Sequence, residues 1–377
     1  MTIDATREWL ALSFVQGIGP ARLKQLLRRF DSPTGVLQAP AAELDKCRFL
    51  SEQQIRSIGQ ADALRRAADI ELDKLARLGG QVLTLADKAY PALLRQTAQP
   101  PPVLFVRGRT ELLCSPSVAI VGSRAATSYG RRVSFHLARE LANHSVCVVS
   151  GLALGIDAEA HAGCLAGGGD TIGVLGCGLD IVYPGSNRGL YEAIAERGLL
   201  VSEYPLGTRP EPFRFPARNR IIAGLSSGVV VVEASRKSGS LITVQYGLDE
   251  GREVFCVPGQ IDSIKSSGTH WLLQQGASLI VGADDIVEQL SLQQPQTANA
   301  VGRADRSAPS ADAAAGLDRE AAALLSIIES YPQTRTELLQ RSALSTARLS
   351  ELLLVLELYG LVEILPGDQI RKRSSFE

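Results

Sequence analysis

The chain has 377 residues, more than one ordinary domain holds, so two or three domains are expected. Its net charge is −1, which excludes a polyanion partner drawn by global charge and confines any nucleic-acid site to a local patch. The hydrophobic fraction of 45% supports a large core, yet no apolar run approaches the length of a membrane span. The start of the chain lacks a basic segment followed by an apolar run, so no signal peptide is expected. The six cysteines form no C-x-x-C pair and several sit in apolar runs, which reads as buried, reduced thiols of a cytoplasmic protein.

Residues 1 to about 90 read as helical. "WLALSFVQGIGPARLKQLLRRF" carries apolar residues at helical spacing and is broken by "GIGP". Its Gly-Ile-Gly turn fits a helix-hairpin-helix/SAM-like element, where Arg22, Lys24, Arg28 and Arg29 could assist a duplex phosphate; a helical interaction domain fits equally. "SPTGVLQAPAAEL" and "LSEQQIRSIG" predict short helices, and "DIELDKLARLGGQVLTL" a helix, a glycine stop and a strand.

From about 91 to 290 the pattern changes. Short β-branched runs ("SVAIVGS", "SVCVVSG", "TIGVLGCG", "GLLVSEY", "GVVVVEAS", "EVFCVPG", "SLIVG") alternate with helical stretches such as "GRRVSFHLARELANH". Continuous apolar strands alternating with helices predict an α/β fold, a Rossmann-like parallel sheet covered on both faces. Residues 291–316 are rich in Ala, Ser, Gln and Pro and predict a linker. Residues 317–377 regain periodicity in the winged-helix order, ending in a glycine-turned hairpin. The would-be recognition helix, "STARLSELLLVLELYG", sets Arg348 beside Glu351 and Glu357, so protein contact or domain docking is expected of it rather than DNA-groove binding.

Ligands of open parallel sheets bind outside the carboxyl ends of the strands. Here those ends are rich in glycine and serine: "GSRAATSYG", "SGLALGID", "GCGLD" and "SRKSGSLIT". Free N–H groups and helix dipoles at such turns favour phosphates. The first turn lacks G-x-G-x-x-G spacing and no carboxylate follows the second strand, which disfavours a dinucleotide. No Gly-Lys pair exists, which excludes a P-loop. A nucleotide-processing hydrolase of phosphoribohydrolase type is the alternative, with Asp157, Glu203 and Glu233 as candidate acids or bases, but each better suits a structural role, capping a turn or pairing with a nearby arginine, and Val244 and Gln245 follow Thr243 where such enzymes place a glutamate. His161 is expected to pack or hydrogen-bond. No metal-ligand spacing or cofactor motif stands out. A polymer of phosphates remains: Arg124, Arg214, Arg218, Arg220, Arg236 and Lys237 fall at strand mouths together with Phe213 and Phe215, and unstacked bases stack on such rings. Single-stranded DNA or RNA fits this better than duplex.

These residues carry a resemblance. "GSRAATSYG", "SGLALGIDAEAH", "GVLGCGLDIVYP", "SEYPLGTRPEPFRFPARNRIIAGLS", "EASRKSGSLIT" and "REVFCVPG", in that order, resemble the DNA-processing protein A (DprA/Smf) family. The resemblance implies an extended Rossmann-like domain that binds and protects single-stranded DNA without an enzymatic step, forms a homodimer, and delivers strands to the recombinase RecA during natural transformation. It further implies that Gly122, Ser123 and Arg124 form a phosphate-binding turn. Phe213, Arg218, Asn219, Arg220, Lys237, Ser238, Gly239 and Ser240 fall on its motifs around the DNA pocket. Departures occur at Val244 and Gln245 and in "SSGTHWLLQQGA", where Thr269 and His270 stand near the family's usual asparagine.

Overall fold

A computed structural model describes residues 3–292, 319–328, 333–342, 344–359, 361–365 and 369–372. The chain divides into two compact units, residues 1–294 and 295–377. The linker expected at 291–316 lies, from residue 293 on, outside the described residues.

The first unit opens with six helices: α1 (Ile3–Ser13), α2 (Pro20–Phe30), α3 (Pro33–Gln38), α4 (Ala41–Asp45), α5 (Glu52–Ile58) and α6 (Ala61–Arg77). Local chemistry sets their ends. Pro20 occupies the first turn of α2, where its missing N–H is harmless. Ser51 and Gln54 form a reciprocal capping box at α5. Gly17, at φ +80°, turns the chain between α1 and α2, and its carbonyl accepts from the Arg22 guanidinium at 3.0 Å.

A nine-stranded sheet follows, made of β1 (Gly80–Thr84), β2 (Val103–Gly108), β3 (Ser117–Val121), β4 (Cys147–Ser150), β5 (Thr171–Leu175), β6 (Leu199–Ser202), β7 (Gly228–Val231), β8 (Glu253–Cys256) and β9 (Ser278–Leu279). The order is β1-β2-β6-β5-β4-β3-β7-β8-β9. From β6 to β9 all pairs are parallel; β2 joins β6, and β1 joins β2, antiparallel. The sheet thus takes in β1, on the N-terminal side of the boundary expected near residue 90. Strand β2 has no counterpart among the runs picked out from the sequence, because Pro100–Pro102 immediately before it read as loop. Prolines are tolerated there, just ahead of a strand.

The remaining helices are α7 (Ala92–Arg95), α8 (Ser128–Asn143), α9 (Ile156–Ala166), α10 (Arg188–Arg197), α11 (Arg214–Leu225), α12 (Ser240–Asp249), α13 (Ser267–Gln274) and α14 (Ala283–Gln289). Alternation along β3 assigns the two faces. Val118 and Ile120 pack with Leu137, Ala160 and Ile286 of α8, α9 and α14, whereas Ala119 and Val121 pack with Ile221, Ile222 and Val244 of α11 and α12. Both faces are therefore dry, as all-parallel strands require. Five cysteines are buried and Cys114 is exposed; all are free thiols. No helix among the described residues is long and apolar enough to cross a membrane.

The second unit contains α15 (Arg319–Ile327), β10 (Gln333–Thr334), α16 (Arg335–Ser342), α17 (Thr346–Leu358), β11 (Val362–Leu365) and β12 (Gln369–Lys372), with strand order β10-β12-β11. This is the winged-helix order. The expected glycine turn of the wing, residues 366–368, lies outside the described residues. On α17, Arg348 pairs with Glu320 and Glu351, each at 2.8 Å, so carboxylates already engage its charge.

Candidate nucleic-acid interface

The chain runs outward from β3 in opposite directions, to β4-β5-β6 on one side and β7-β8-β9 on the other. The crevice between the carboxyl ends of β3 and β7, paired Val121 to Val231, is the topological switch point. A cavity of about 550 Å³ opens there. One wall is the turn after β3. A Cβ on Gly122 would come within 2.6 Å of the Ile156 side chain and 2.8 Å of the Glu233 carbonyl, so only glycine lets this turn lie so close. Glu233 braces the turn from beneath: its carbonyl accepts from Ser123 N at 2.8 Å, and its carboxylate accepts from Thr127 N at 2.9 Å and from the Thr127 hydroxyl. Thr127 in turn caps α8 by accepting from Gly130 N.

The facing wall is Ser238–Gly239–Ser240, where α12 begins. No side chain caps that helix at Gly239. The Ser238 and Ser240 hydroxyls bond each other at 2.7 Å at the end that attracts anions.

The third wall is α11. The arginine-rich stretch forms this helix, and helical phase sorts its cations. Arg218 turns inward and is 3% exposed. Its guanidinium donates to Gly151 O at 2.7 Å and to Val174 O, tying the ends of β4 and β5 together. A Cβ on Gly151 would lie 2.5–2.6 Å from that guanidinium, so glycine is what makes the seat. Burial pulls the Arg218 pKa down to about 10, opposed by the nearby Asp157 carboxylate. Burial likewise raises the Asp157 pKa, against Arg218 and the N–H groups of Ala153 and Gly151. Arg220 faces away from the cavity, pairs with Glu203 and donates to Gln99 O at 3.1 Å. Arg214 pairs with Glu211 at 3.2 Å and lies over the Tyr204 ring.

Two α11-linked side chains do reach the opening. Asn219 accepts from Arg218 Nε at 3.3 Å and donates to Gly239 O at 3.5 Å, coupling the helix to the second turn. Phe215 stacks on Tyr183, centroids 5.3 Å apart and planes at 28°, with the exposed Arg124 guanidinium 5.3 Å above its ring. Beyond this column lies a smaller niche lined by Leu154, Leu175 and Cys177.

Of the residues singled out from the sequence, Gly122, Ser123, Arg124, Arg218, Asn219, Ser238, Gly239 and Ser240 line one cavity. Phe213, Arg220 and Lys237 do not. Phe213 is 66% exposed outside the lining, since residues two apart on a helix face nearly opposite directions. Lys237 is exposed at the rim, one residue before Ser238. Phe215 and Tyr183 occupy the place in the lining assigned to Phe213. The signal was in the spacing: Phe215 is the phenylalanine three residues before Arg218-Asn219-Arg220. The candidate acids are all engaged by protein partners, Asp157 and Glu233 as above and Glu203 by Arg220. His161 is buried and bonds the Thr171 hydroxyl through Nδ1 at 2.7 Å, and burial drives its pKa down to about 3.

The sequence model of the family described as "DNA recombination-mediator protein A" matches residues 81–291, and that of the "DprA winged helix domain" matches residues 308–368. Protein Smf of Synechocystis is 36% identical over 396 aligned positions, covering 97% of this chain and 98% of that protein. The DNA processing protein DprA of Streptococcus pneumoniae is 45% identical over 206 positions, covering 55% of this chain and 73% of that protein. Its X-ray structure superposes with a TM-score of 0.67 at 34% identity, covering 77% of this chain and 99% of that one. A structure of DNA processing protein A from Helicobacter pylori, described by its single-stranded DNA binding mode, superposes with a TM-score of 0.51 at 34% identity over 56% of this chain and 95% of that one. With the family match spanning more than half its length and a relative aligned almost end to end, the chain belongs to the DNA-processing protein A (DprA/Smf) family.

Proposed function

We propose that this protein binds single-stranded DNA at the β3/β7 crevice, with little regard to sequence and without an enzymatic step. The observation that carries the reading is the convergence of the Gly122–Arg124 turn, the Ser238–Ser240 helix start and the Arg124–Phe215–Tyr183 column on one cavity. The turns offer N–H groups and positive dipole to phosphates, and the rings offer faces to bases. Binding of single-stranded DNA by the Helicobacter relative supports the same role here. For the alternative of a nucleotide-cleaving enzyme, Glu203 and Glu233 are engaged away from the opening by Arg220 and Thr127, which leaves Asp157, in the cavity lining, as its candidate acid or base.

The wider role we propose is protection of incoming strands in the cytoplasm and their delivery to RecA during natural transformation, by a homodimer formed through the same unit. The dimer is supported by β9, the last strand of the sheet, whose neighbour Val281 is 84% exposed.

The test is titration of a labelled oligothymidylate across salt concentrations, in parallel with incubation of the protein with nucleoside monophosphates. If about four phosphates are neutralised, log K should fall against log salt with a slope near −3, from roughly 0.7 per single-strand phosphate. A flat salt response, or sustained release of free base, refutes the reading. A monomer in analytical ultracentrifugation removes the dimer from it.

A further inference from the structure

The segment between β8 and α13 touches the Gly122–Ala125 turn, and the start of α13 touches the strand exit at Ala234–Ser235. Gly268 N donates to Ala234 O at 2.7 Å, and a Cβ on Gly268 would meet the Ala234 and Ser235 carbonyls at 2.6 and 2.8 Å. The start of α13 therefore lies flush against the strand exit that leads into Ser238. On the other side, Lys265 Nζ donates to Ala125 O at 2.7 Å and sits 3.4 Å from Ser123 Oγ. His270 Nε2, 3.1 Å from Gly259 O, and Tyr129, whose hydroxyl donates to Pro258 O at 2.8 Å, hold the base of the loop.

Lys265 is half-buried, and both its partners are neutral oxygens. Among the described residues it makes no ion pair, unlike Arg214 and Arg220. An ammonium has three donors, and these contacts occupy two. A partly desolvated, uncompensated cation next to Ser123, on the wall of the cavity, is well placed for an anion.

We propose that Lys265 is a DNA-contacting residue: its ammonium fastens the Gly122–Ala125 turn and binds one backbone phosphate at the cavity lip beside Ser123. This rests on the single-strand reading above.

The experiment is oligothymidylate titration of the full chain and its Lys265→Gln and Lys265→Arg variants, with thermal melting of each. Losing one phosphate contact should make the salt slope of Lys265→Gln shallower by about 0.7, so its deficit against wild type should shrink about 2.5-fold between about 50 and about 200 mM salt. Lys265→Arg should keep the wild-type slope. If Lys265→Gln binds more weakly with an unchanged slope, the lysine only fastens the turn and the phosphate contact is refuted. Unchanged binding refutes it too, as does a variant that melts early and recovers wild-type affinity and slope when cooled. A flat slope in the wild type would instead overturn the single-strand reading itself.

Discussion

Phe215 and Phe213 stand two residues apart in an arginine-rich segment, and the structure gives them opposite fates. Phe215 is stacked between Tyr183 and the Arg124 guanidinium at the cavity, while Phe213 projects into solvent. Truncating Phe215 to alanine removes the ring on which a base would stack by displacing the Arg124 guanidinium, worth about 1–3 kcal/mol per base. It also removes the face that holds Arg124 in place, worth about 0.5–1 kcal/mol at an exposed site. At about 1.4 kcal/mol per tenfold, the stacking loss alone corresponds to roughly 5- to 150-fold weaker binding. Phe213→Ala should stay within about twofold of wild type, as surface substitutions of this kind do. Fluorescence anisotropy on a labelled oligothymidylate reads both variants, and Phe215→Trp should restore most of the affinity because any π-face serves. The reasoning fails if Phe213→Ala weakens binding as much as Phe215→Ala does, or if Phe215→Ala binds like wild type.

Arg220→Ala should destabilise the fold by about 1–3 kcal/mol, since it leaves the half-buried Glu203 carboxylate without its cation. Burial already raises the Glu203 pKa and Arg220 opposes that rise, so the variant should raise it further. A raised folded-state pKa gives stability that is lost as pH rises, so the deficit should narrow on acidification from neutral pH; a denaturant series that finds it constant or wider would count against the pair. Gly151→Ala should cost about 1–3 kcal/mol by pushing a methyl into the Arg218 guanidinium, visible as an earlier thermal transition; an unchanged midpoint would mean Arg218 is not seated on that carbonyl. Deleting residues 317–377 should leave most single-strand affinity, because Arg348 is already paired with two carboxylates; loss of nearly all binding would assign the DNA contact to the winged helix.

The core of the sheet was legible because strands buried on both faces read as unbroken apolar runs. Ile120 and Val121 look in opposite directions, and both are buried. Strand β2 and helix α11 escaped for different reasons. Strand β2 starts on the heels of three prolines. Helix α11 lacks the usual sign of a surface helix, since an arginine, Arg218, occupies a core-facing position that an apolar residue would normally mark. The glycine turns were legible for a different reason: Gly122 and Gly239 sit at the strand exit and helix start where anion sites form, and their neighbours in sequence are also their neighbours in the cavity.

Which cations serve the ligand and which serve the fold depends on helical phase and on distant partners, and neither is local in sequence. Arg218 finds its acceptors in Gly151 and Val174, and Arg220 its carboxylate in Glu203, all on other strand ends. The dense positive charge of "FRFPARNR" therefore acts mostly as scaffold, fastening β4, β5 and the segment after β6 around the crevice. On the proposed single-strand reading, the charge left for a ligand lies on Arg124 at the first turn, Lys265 on the loop behind it and the exposed Arg236 and Lys237 just before Ser238. Replacing the scaffold arginines should chiefly lower stability, and replacing the rim cations should chiefly lower the salt slope. A single site with two kinds of arginine is distinguished by that split, which a purely electrostatic trough would not produce.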